Sequence, residues 1–284
     1  MDGALVPREQ AVVSVFDHGV LYGDGCFEGI RAYNRRIFKV GSHIKRLFAS
    51  AAAIRLESPY AHRQWIDSIR QTLDANGLTN AYIRVVMTRG VGTLGLNPFR
   101  CPAPTCFIIT DSIELYPPSL YESGMKVITA RRPRNLPAAL DPSIKSLNYL
   151  NNILAKIEAI DAGVLEAIML NHEGYVAECT GDNIFFVKGG RVTTPPVSAG
   201  LLEGVTRRFV MELCGELAIP CGERIFRMEE LKAADEVFLT GTAAEIIAVS
   251  QVDDELIGNG AIGPVTRRLT EEFRARVAQG APED

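Results

Sequence analysis

Hydrophobic and polar positions alternate in short runs along the first part of the chain and then recur with a helical period. The stretch "VVSVFDHGVLYGDGCFEGIRAYNRRIFKV" combines β-like runs with glycine turns, and "YNRR" predicts a hairpin loop. From Ser42, a candidate N-cap, apolar residues recur on one helix face, and a second helix is predicted over 62–75. A strand "AYIRVVMTRG", a loop "VGTLGLNP" and a strand "TCFIITDSI" follow.

The segment "LYPPSLYESG" (115–124) is polar and rich in proline, which is typical of a linker. After it the pattern restarts, with hairpins rather than regular βαβ units. The predicted elements are strands at 125–131, 166–170, 184–188, 236–240 and 245–250, and helices ending near 162 and covering 203–218 and 262–278. We therefore predict an α+β protein with a smaller N-terminal α/β domain (1–115), an interdomain linker (116–124) and a larger C-terminal domain (125–284).

Composition narrows the class of protein. A chain of 284 residues with 47% hydrophobic content is long and apolar enough for two cores. The net charge of -4 argues against nucleic acid or an anionic membrane as the main partner. The six cysteines form no C-x-x-C pair, and no signal peptide or long apolar run is evident. We expect a soluble cytoplasmic protein with reduced thiols and no metal site.

Several common catalytic motifs are absent from the sequence. It contains no P-loop, no G-x-S-x-G elbow and no H-E-x-x-H helix. The stretch "GDGCFEG" misses the dinucleotide-binding fingerprint by one residue. The four histidines are isolated from one another, so a histidine-based metal site or triad would require distant residues to converge.

Lysine remains as the candidate nucleophile, and Lys145 differs from the other six lysines. Those six have ordinary solvent-facing interpretations, whereas Lys145 has the apolar neighbours Ile144 and Leu147. A partly desolvated amine is the better nucleophile toward an aldehyde. If the following helix begins near Lys145, Tyr149 lies four residues on, over the same side. The residues alone leave open whether Lys145 is catalytic or solvated.

A lysine that binds pyridoxal phosphate needs three further groups. A carboxylate must face the pyridine nitrogen, an arginine and helix N-terminal amides must hold the phosphate, and a phenol must meet the ring hydroxyl. Candidates occur in "YVAECTGDNIFFV", which carries Glu178, and in the Gly-Thr turns of "LLEGVTRR" and "LTGTAAEI". Taken alone, Glu178 is more typical of a surface strand carboxylate, and each Gly-Thr of an ordinary cap or turn.

Taken together, these blocks resemble a known family. "YGDGCFEGIRAY", "HIKRL", "AYIRVV", "GLNP", "KSLNYLNNILAKIEA", "GYVAECTGDNIF", "TPP", "GVTRR", "ADEVFLTGTAAEI" and "GPVTRRL" follow one another in order over nearly the whole chain. In this combination the chain resembles the fold-type IV pyridoxal-phosphate aminotransferases, and specifically the branched-chain amino acid aminotransferases. The resemblance implies a pseudo-barrel sheet in the larger domain, pyridoxal 5'-phosphate in the interdomain cleft, and a homodimer or trimer of dimers.

The resemblance also assigns cofactor residues. Lys145 matches the lysine that forms the Schiff base and moves the proton, Glu178 the partner of the ring nitrogen, and Tyr149 the phenol. The positions that match the phosphate-binding groups are Arg46, Val205, Thr206 and Thr242. The turn from Gly241 to Ala243 matches the one whose amides face the substrate carboxylate.

The implied substrate pocket combines an apolar wall with one cation. Tyr82 and Arg84 are two apart and share a strand face, and Arg84 matches the residue that receives the glutamate γ-carboxylate. The other matching positions are Tyr22, Phe27, Gly29, Thr242 and Ala243, together with Leu94 and Leu96 in a loop that reaches across a dimer interface in the family. Where well-known bacterial members have an aromatic pair, this chain has Ser112 and Leu115 or Tyr116, so side-chain selectivity stays open.

The predicted reaction is ping-pong transfer of an amino group between leucine, isoleucine or valine, or their 2-oxo acids, and glutamate or 2-oxoglutarate. Related alternatives are D-amino acid or R-amine transamination and aminodeoxychorismate lyase, because "YGDG" occurs in D-amino acid aminotransferases and aminodeoxychorismate lyases. "FEGIR" and "YIR" favour the branched-chain group. Intact Lys145 and Glu178 argue against a non-enzymatic cofactor-binding relative.

Overall fold

The structure, a computed structural model, describes residues 1–113 and 115–280, which form two compact units. The first unit contains Met1–Ile113, Ile144–Asn148 and residues 277–280, and the second contains residues 115–143 and Tyr149–Arg276. Glu114, at the predicted end of the N-terminal domain, and residues 281–284, at the predicted end of the C-terminal domain, lie outside the described residues.

The first unit is built on an antiparallel sheet of four strands among the described residues, in the order β2-β1-β3-β4. The strands are β1 (Gly25–Tyr33), β2 (Arg36–Ile37), β3 (Ala81–Thr88) and β4 (Thr105–Asp111). Asn34 and Arg35, between β1 and β2, have φ of 50° and 65°, the left-handed values that a tight two-residue hairpin requires. The hairpin predicted at "YNRR" is therefore confirmed.

Three α-helices accompany this sheet in the described residues: α1 (His18–Tyr22), α2 (Val40–Ala53) and α3 (His62–Ala75), with short 3-10 turns at Arg8–Gln10 and Pro98–Arg100. The prediction of a helix over 62–75 is confirmed. The predicted N-cap at Ser42 was wrong, because α2 begins at Val40 after Lys39, which has left-handed backbone angles. The apolar face of α2 packs on β1 through Ile44 and Leu47, and that of α3 packs on α2 and β4 through Trp65 and Ile69.

The second unit carries a mixed sheet of nine strands among the described residues. The strands follow the order β10-β9-β8-β11-β12-β5-β6-β7, with β13 paired to β12. Their bounds are β5 (Met125–Thr129), β6 (Glu166–Leu170), β7 (Val176–Cys179), β8 (Asn183–Lys188), β9 (Arg191–Thr194), β10 (Cys221–Glu223), β11 (Glu236–Gly241), β12 (Glu245–Val252) and β13 (Glu255–Leu256). The sequences of β8, β11 and β12 are nearly continuous apolar runs, as expected for strands whose residues are mostly buried.

The helices of the second unit are α4 (Pro118–Ser123), α5 (Leu150–Asp161), α6 (Val205–Glu216), α7 (Met228–Lys232) and α8 (Pro264–Gly280), with a 3-10 turn at Val197–Ala199. The last residues of α8, 277–280, are counted in the first unit. Ala155 and Ala159 on α5 meet Ala167 and Met169 on β6, so small side chains allow close packing of this helix on the sheet. No helix in the described part of the chain has both the length and the hydropathy needed to cross a bilayer.

The predicted linker is a packed part of the second unit. Residues Pro118–Ser123 form α4, Tyr116 is 4% exposed, and the Tyr121 hydroxyl donates to the Ala244 carbonyl at 3.1 Å. Proline and polar residues predicted a linker here, but proline is also well tolerated in the first turn of a helix, which is where Pro118 stands.

Candidate active site

Lys145 lies in an irregular segment that is hydrogen-bonded to β1. The Phe27 amide donates to the Lys145 carbonyl and the Leu147 amide to the Gly25 carbonyl, both at 3.0 Å. The Lys145 amide in turn donates to Ser50 Oγ at 3.0 Å. The backbone on both sides of the candidate nucleophile is therefore fixed by hydrogen bonds within the first unit.

The expectation that a helix begins near Lys145 was wrong. Helix α5 begins at Leu150, with Tyr149 as its N-cap, so Lys145 and Tyr149 are not one helical turn apart. The sequence "PSIKSLNYL" continues smoothly into an amphipathic helix, and the hydrogen bonds to β1 that hold residues 145–147 outside that helix are not visible in the sequence.

One face of the small sheet gathers Lys145 with four predicted substrate residues. Lys145 Nζ and Arg84 Cζ lie 4.7 and 4.4 Å from the centroid of the Phe27 ring, and Arg84 Cζ lies 5.6 Å from that of Tyr82. Gly29 stands opposite Arg84 in register, and a Cβ there would be 2.2 Å from the Tyr82 hydroxyl oxygen. Only glycine at position 29 leaves room for this arrangement.

Tyr22 and His18 hold the loop that carries Leu94 and Leu96. The Gly95 amide donates to the Tyr22 hydroxyl at 2.8 Å, and His18 Nε2 lies 2.9 Å from the Thr93 carbonyl oxygen. Leu94 and Leu96 themselves are 72% and 80% exposed. Tyr22 therefore contacts this loop directly, a role that the sequence did not predict.

Arg46 makes a two-point ion pair with a carboxylate that the sequence reasoning missed. Its Nε and Nη2 donate to Glu28 Oε1 and Oε2 at 2.7 and 2.8 Å, and His43 Nδ1 lies 2.8 Å from Glu28 Oε2. Burial acts to raise the pKa of Glu28, but the charge and hydrogen bonds of Arg46, with His43, hold that pKa well below its usual range. Glu28 was detectable, because it interrupts an apolar strand face.

In the second unit, Glu178 is held by three groups that the sequence reasoning did not assign. Arg134 Nε donates to Glu178 Oε1 at 2.7 Å, while Asn183 Nδ2 and the Leu202 amide donate to Oε2, each at 3.2 Å. Arg134 Nη1 also donates to Asn152 Oδ1 at 3.3 Å. The patch "RRPR" (131–134) has the composition of a solvated turn, but Arg134 is only 7% exposed. No local signal marks this arginine.

The first turn of α6 has the composition of an anion site. Gly204 is the N-cap and offers no capping side chain, and Val205 and Thr206 behind it are buried. A Cβ at Gly204 would be 2.0 Å from Asn183 Oδ1, so glycine lets the strand approach this helix end. An uncapped helix N-terminus offers amide donors and a favourable dipole to a phosphate. The residues present therefore fit the phosphate of the expected cofactor.

The turn from Gly241 to Ala243 joins β11 to β12. Thr242 and Ala243 are half-buried, and a Cβ at Gly241 would be 1.9 Å from Asp182 Oδ1. The turn that was predicted to face a substrate carboxylate thus rests directly on the Asp182 side chain.

Asp182 belongs to a buried acidic cluster that the sequence reasoning also missed. The Tyr116 hydroxyl lies 3.1 Å from Asp182 Oδ2 and 3.4 Å from Glu166 Oε2, and Lys156 Nζ lies 3.5 Å from Glu166 Oε2. Burial, with the nearby charge of Glu166, raises the pKa of Asp182 to about 7. The groups around Asp182 carry more negative than positive charge. Asp182 therefore holds its proton more tightly than a solvent-exposed aspartate does.

Comparison with known proteins identifies one family, and the relatives described below are all aminotransferases. The model of the family described as Amino-transferase class IV matches residues 25–252. A putative branched-chain-amino-acid aminotransferase of Methanocaldococcus jannaschii is 48% identical over 96% of this chain and 94% of its own length. A D-alanine aminotransferase of Staphylococcus haemolyticus is 36% identical, over 96% of this chain and 95% of its own length.

A solved structure of the T.th. branched-chain amino acid aminotransferase with pyridoxamine 5'-phosphate is also similar. It has a TM-score of 0.95 and 37% identity, with 100% of this chain and 94% of that chain covered. Two further structures of that protein are complexes with N-(5'-phosphopyridoxyl)-L-glutamate and with 4-methylvaleric acid, each with a TM-score of 0.93.

Proposed function

Because the chain belongs to the aminotransferase class IV family, we propose that it transfers amino groups between branched-chain L-amino acids and 2-oxoglutarate. The family, the two-sheet α+β fold class and the dependence on pyridoxal phosphate expected from the sequence are confirmed. Pyridoxal phosphate, when bound, supplies an aldehyde that condenses with amines and a ring that draws electrons from the neighbouring bonds.

The arrangement around the Phe27 ring carries this proposal. The Lys145 amine and the Arg84 guanidinium lie against the same ring, at 4.7 and 4.4 Å from its centroid. An aliphatic side chain can pack on Phe27 and Tyr82, whereas a γ-carboxylate can pair with Arg84. One pocket can then accept leucine and glutamate in turn, as a ping-pong exchange between them requires.

The remaining cofactor residues have distinct tasks in this proposal. The Lys145 amine holds the cofactor and moves the proton at the substrate Cα, and the Glu178 carboxylate keeps the ring nitrogen protonated. Tyr149 meets the ring hydroxyl, and Arg46, Val205, Thr206 and Thr242 hold the phosphate. The amides of the turn from Gly241 to Ala243 orient the substrate carboxylate.

A panel of amino donors tests the proposed function. Purified enzyme is assayed with 2-oxoglutarate and L-leucine, L-isoleucine or L-valine, and in parallel with D-alanine, an R-amine and aminodeoxychorismate. We expect turnover with all three branched-chain donors, at rates within about 200-fold of one another, because one methylene changes apolar binding only modestly. Inactivity toward L-leucine would contradict the proposal.

Replacement of Arg84 separates the two substrates. We expect Arg84→Leu to raise the KM for 2-oxoglutarate at least about tenfold, because a charge-assisted pair is lost, while the KM for leucine changes little. The control is Arg36→Leu, which removes the same charge from an exposed position on β2. Equal losses for both substrates would contradict the assignment of Arg84 to the γ-carboxylate.

Transamination of D-amino acids is the alternative that one finding favours. The Staphylococcus haemolyticus relative is named a D-alanine aminotransferase and matches nearly the full length of both chains. The branched-chain interpretation is better supported, since the M. jannaschii relative is more similar and "FEGIR" and "YIR" favour that group. The D-alanine arm of the donor panel decides between the two.

We further propose that the protein acts in the cytoplasm as a homodimer or trimer of dimers. The exposure of Leu94 and Leu96, on a loop held by Tyr22 and His18, supports an apolar contact with a second copy. Light scattering on the purified protein tests this assembly, and Leu94→Ser with Leu96→Ser is expected to weaken it. A monomer at assay concentration would contradict the assembly.

A further inference from the structure

Strand β1 places a carboxylate on a face that is otherwise apolar. Cys26, Ile30 and Ala32 alternate along this face and join the core formed with α2 and α3. Glu28 occupies the same face and is 0% exposed. A buried ion costs several kcal/mol of solvation, so it is retained only where strong partners surround it.

The partners of Glu28 come from α2. Arg46 binds both carboxylate oxygens through Nε and Nη2, a side-on geometry that fixes the plane of the guanidinium. His43 lies three residues earlier, on the same helix face, and binds Oε2. Arg46 keeps 13% of its side chain exposed, while the side chains of Glu28 and His43 have none. The arginine is thus the outermost member of this trio.

His43 acts as a neutral donor to Glu28. Burial lowers its pKa, and the nearby charges of Arg46 and Lys145 act in the same direction, against the opposite effect of Glu28. Because Glu28 is an ionised acceptor, the ring proton sits on Nδ1. Nε2 has no hydrogen-bond partner among the described residues. The contact with Glu28 is therefore the role that the structure gives to this ring.

We propose that Glu28 is a positioning residue that holds the Arg46 guanidinium in the orientation that receives the cofactor phosphate, and that His43 in turn holds Glu28. This inference rests on the proposed function, which makes Arg46 a phosphate-binding residue. An unrestrained arginine loses rotamer entropy when it is fixed on a ligand. An arginine already fixed by a carboxylate loses less on binding, so the trio favours a phosphorylated ligand over a neutral one.

The test compares two ligands that differ only in the phosphate. The dissociation constants of pyridoxal 5'-phosphate and of pyridoxal are measured by absorption and fluorescence on the cofactor-depleted protein. The preference for the phosphorylated ligand is the ratio of the two constants. We expect Glu28→Gln to reduce this ratio at least about tenfold, with pyridoxal affinity nearly unchanged, because the orientation of one charge-assisted contact is lost. Glu57→Gln, the same change at an exposed site of the first unit, should leave the ratio unchanged.

His43 provides a second variant with a conservative rescue. An asparagine amide can approximate the donor at Nδ1, so His43→Asn should keep most of the preference, whereas His43→Leu should lose part of it. This comparison decides the question even if Glu28→Gln does not fold. A larger or unchanged ratio in Glu28→Gln would overturn the positioning role, and so would an equal loss of affinity for both ligands.

Failure of the proposed function gives a different result from failure of this inference. If the wild-type protein binds neither ligand, the proposed function fails and the inference fails with it. If the wild-type protein binds pyridoxal phosphate through a lysine, and Glu28→Gln and His43→Leu both retain the full preference, only the inference is overturned.

Discussion

Arg46 pairs with Glu28 in the first unit, and Arg134 pairs with Glu178 in the second, each with an N–O distance of 2.7 Å. In the first pair the arginine is the member assigned to the cofactor and the carboxylate lies behind it. In the second pair the carboxylate is the member assigned to the cofactor, and the arginine is its partner. The same ion pair can thus present either a positive or a negative group, depending on which member is closer to the ligand.

The charge around each pair differs. Glu28 is surrounded by Arg46 and a neutral His43, so one negative charge meets one positive charge. Glu178 has the acidic residues Asp182 and Glu166 nearby, with Arg134 and Lys156 as their cations. The second region is therefore richer in acid, and we expect it to respond to pH where the first does not.

Removal of Arg134 should have the largest effect on stability. Arg134→Leu leaves Glu178 buried without its cation, and the loss of one partner from a buried pair typically costs about 3–5 kcal/mol. We expect this variant to lose about 3 kcal/mol of unfolding free energy. Arg132→Leu, an exposed neighbour in the same "RRPR" patch, should change stability by less than about 0.5 kcal/mol. Urea unfolding of both variants measures the difference. Equal unfolding free energies for the two variants would show that the ion pair of Arg134 with Glu178 makes no specific contribution to stability.

Neutralisation of Glu178 should lower the rate more than the affinity. We expect Glu178→Gln to reduce kcat roughly 100-fold, because a neutral amide cannot stabilise the positive charge on the ring nitrogen. Glu28→Gln should instead act mainly on the preference for phosphorylated cofactor. Steady-state kinetics at saturating leucine and 2-oxoglutarate measure the first effect, with exposed Glu173→Gln as the control. A variant with normal kcat would contradict the role of Glu178.

The acidic cluster around Asp182 should make the free energy of unfolding depend on pH. Burial and Glu166 raise the pKa of Asp182 to about 7, above its value in an unfolded chain of about 4. The folded state thus binds more protons between these values, so its stability falls as pH rises from about 4 to about 7. Asp182→Asn should remove this slope and stabilise the protein at pH 8 by about 1 kcal/mol.

Thermal unfolding between pH 5 and pH 8 measures this window, and exposed Asp254→Asn is the matched control. A wild-type slope that persists in Asp182→Asn would show that another group titrates.

Loss of one hydroxyl at Tyr22 should have the smallest effect. Tyr22→Phe removes the acceptor for the Gly95 amide, and one hydrogen bond contributes about 1 kcal/mol. The KM for leucine should therefore rise by less than about tenfold, and cofactor affinity should not change, since neither ion pair is involved. Tyr175→Phe, in the second unit, is the control. A loss of cofactor affinity in Tyr22→Phe would contradict the separation of the loop from the ion pairs.

Local patterns predicted the elements better than the contacts of the site. The helix His62–Ala75 and the strand Glu166–Leu170 agree with their predicted ranges, because their amphipathic or apolar runs are set by neighbouring residues. The position of Lys145 outside the helix was not predicted, because it depends on hydrogen bonds with Gly25 and Phe27, more than a hundred residues earlier.

The two ion pairs also depend on contacts between residues that are distant in sequence. Family resemblance pointed to Arg46 and Glu178, but their partners Glu28 and Arg134 are 18 and 44 residues away in sequence. Glu28 left a trace, since a carboxylate on the apolar face of a strand is unusual. Arg134 left none, because the exposed arginines beside it have the same local composition.

The central claim is that Lys145 holds the cofactor, and borohydride reduction tests it most directly. Reduction of the purified holoenzyme fixes the cofactor to the lysine that carries it, and peptide mass spectrometry then locates the modification. We predict a phosphopyridoxyl group on Lys145 and on none of the other six lysines. Modification of a different lysine, or recovery of an unmodified Lys145 from a yellow protein, would contradict the account.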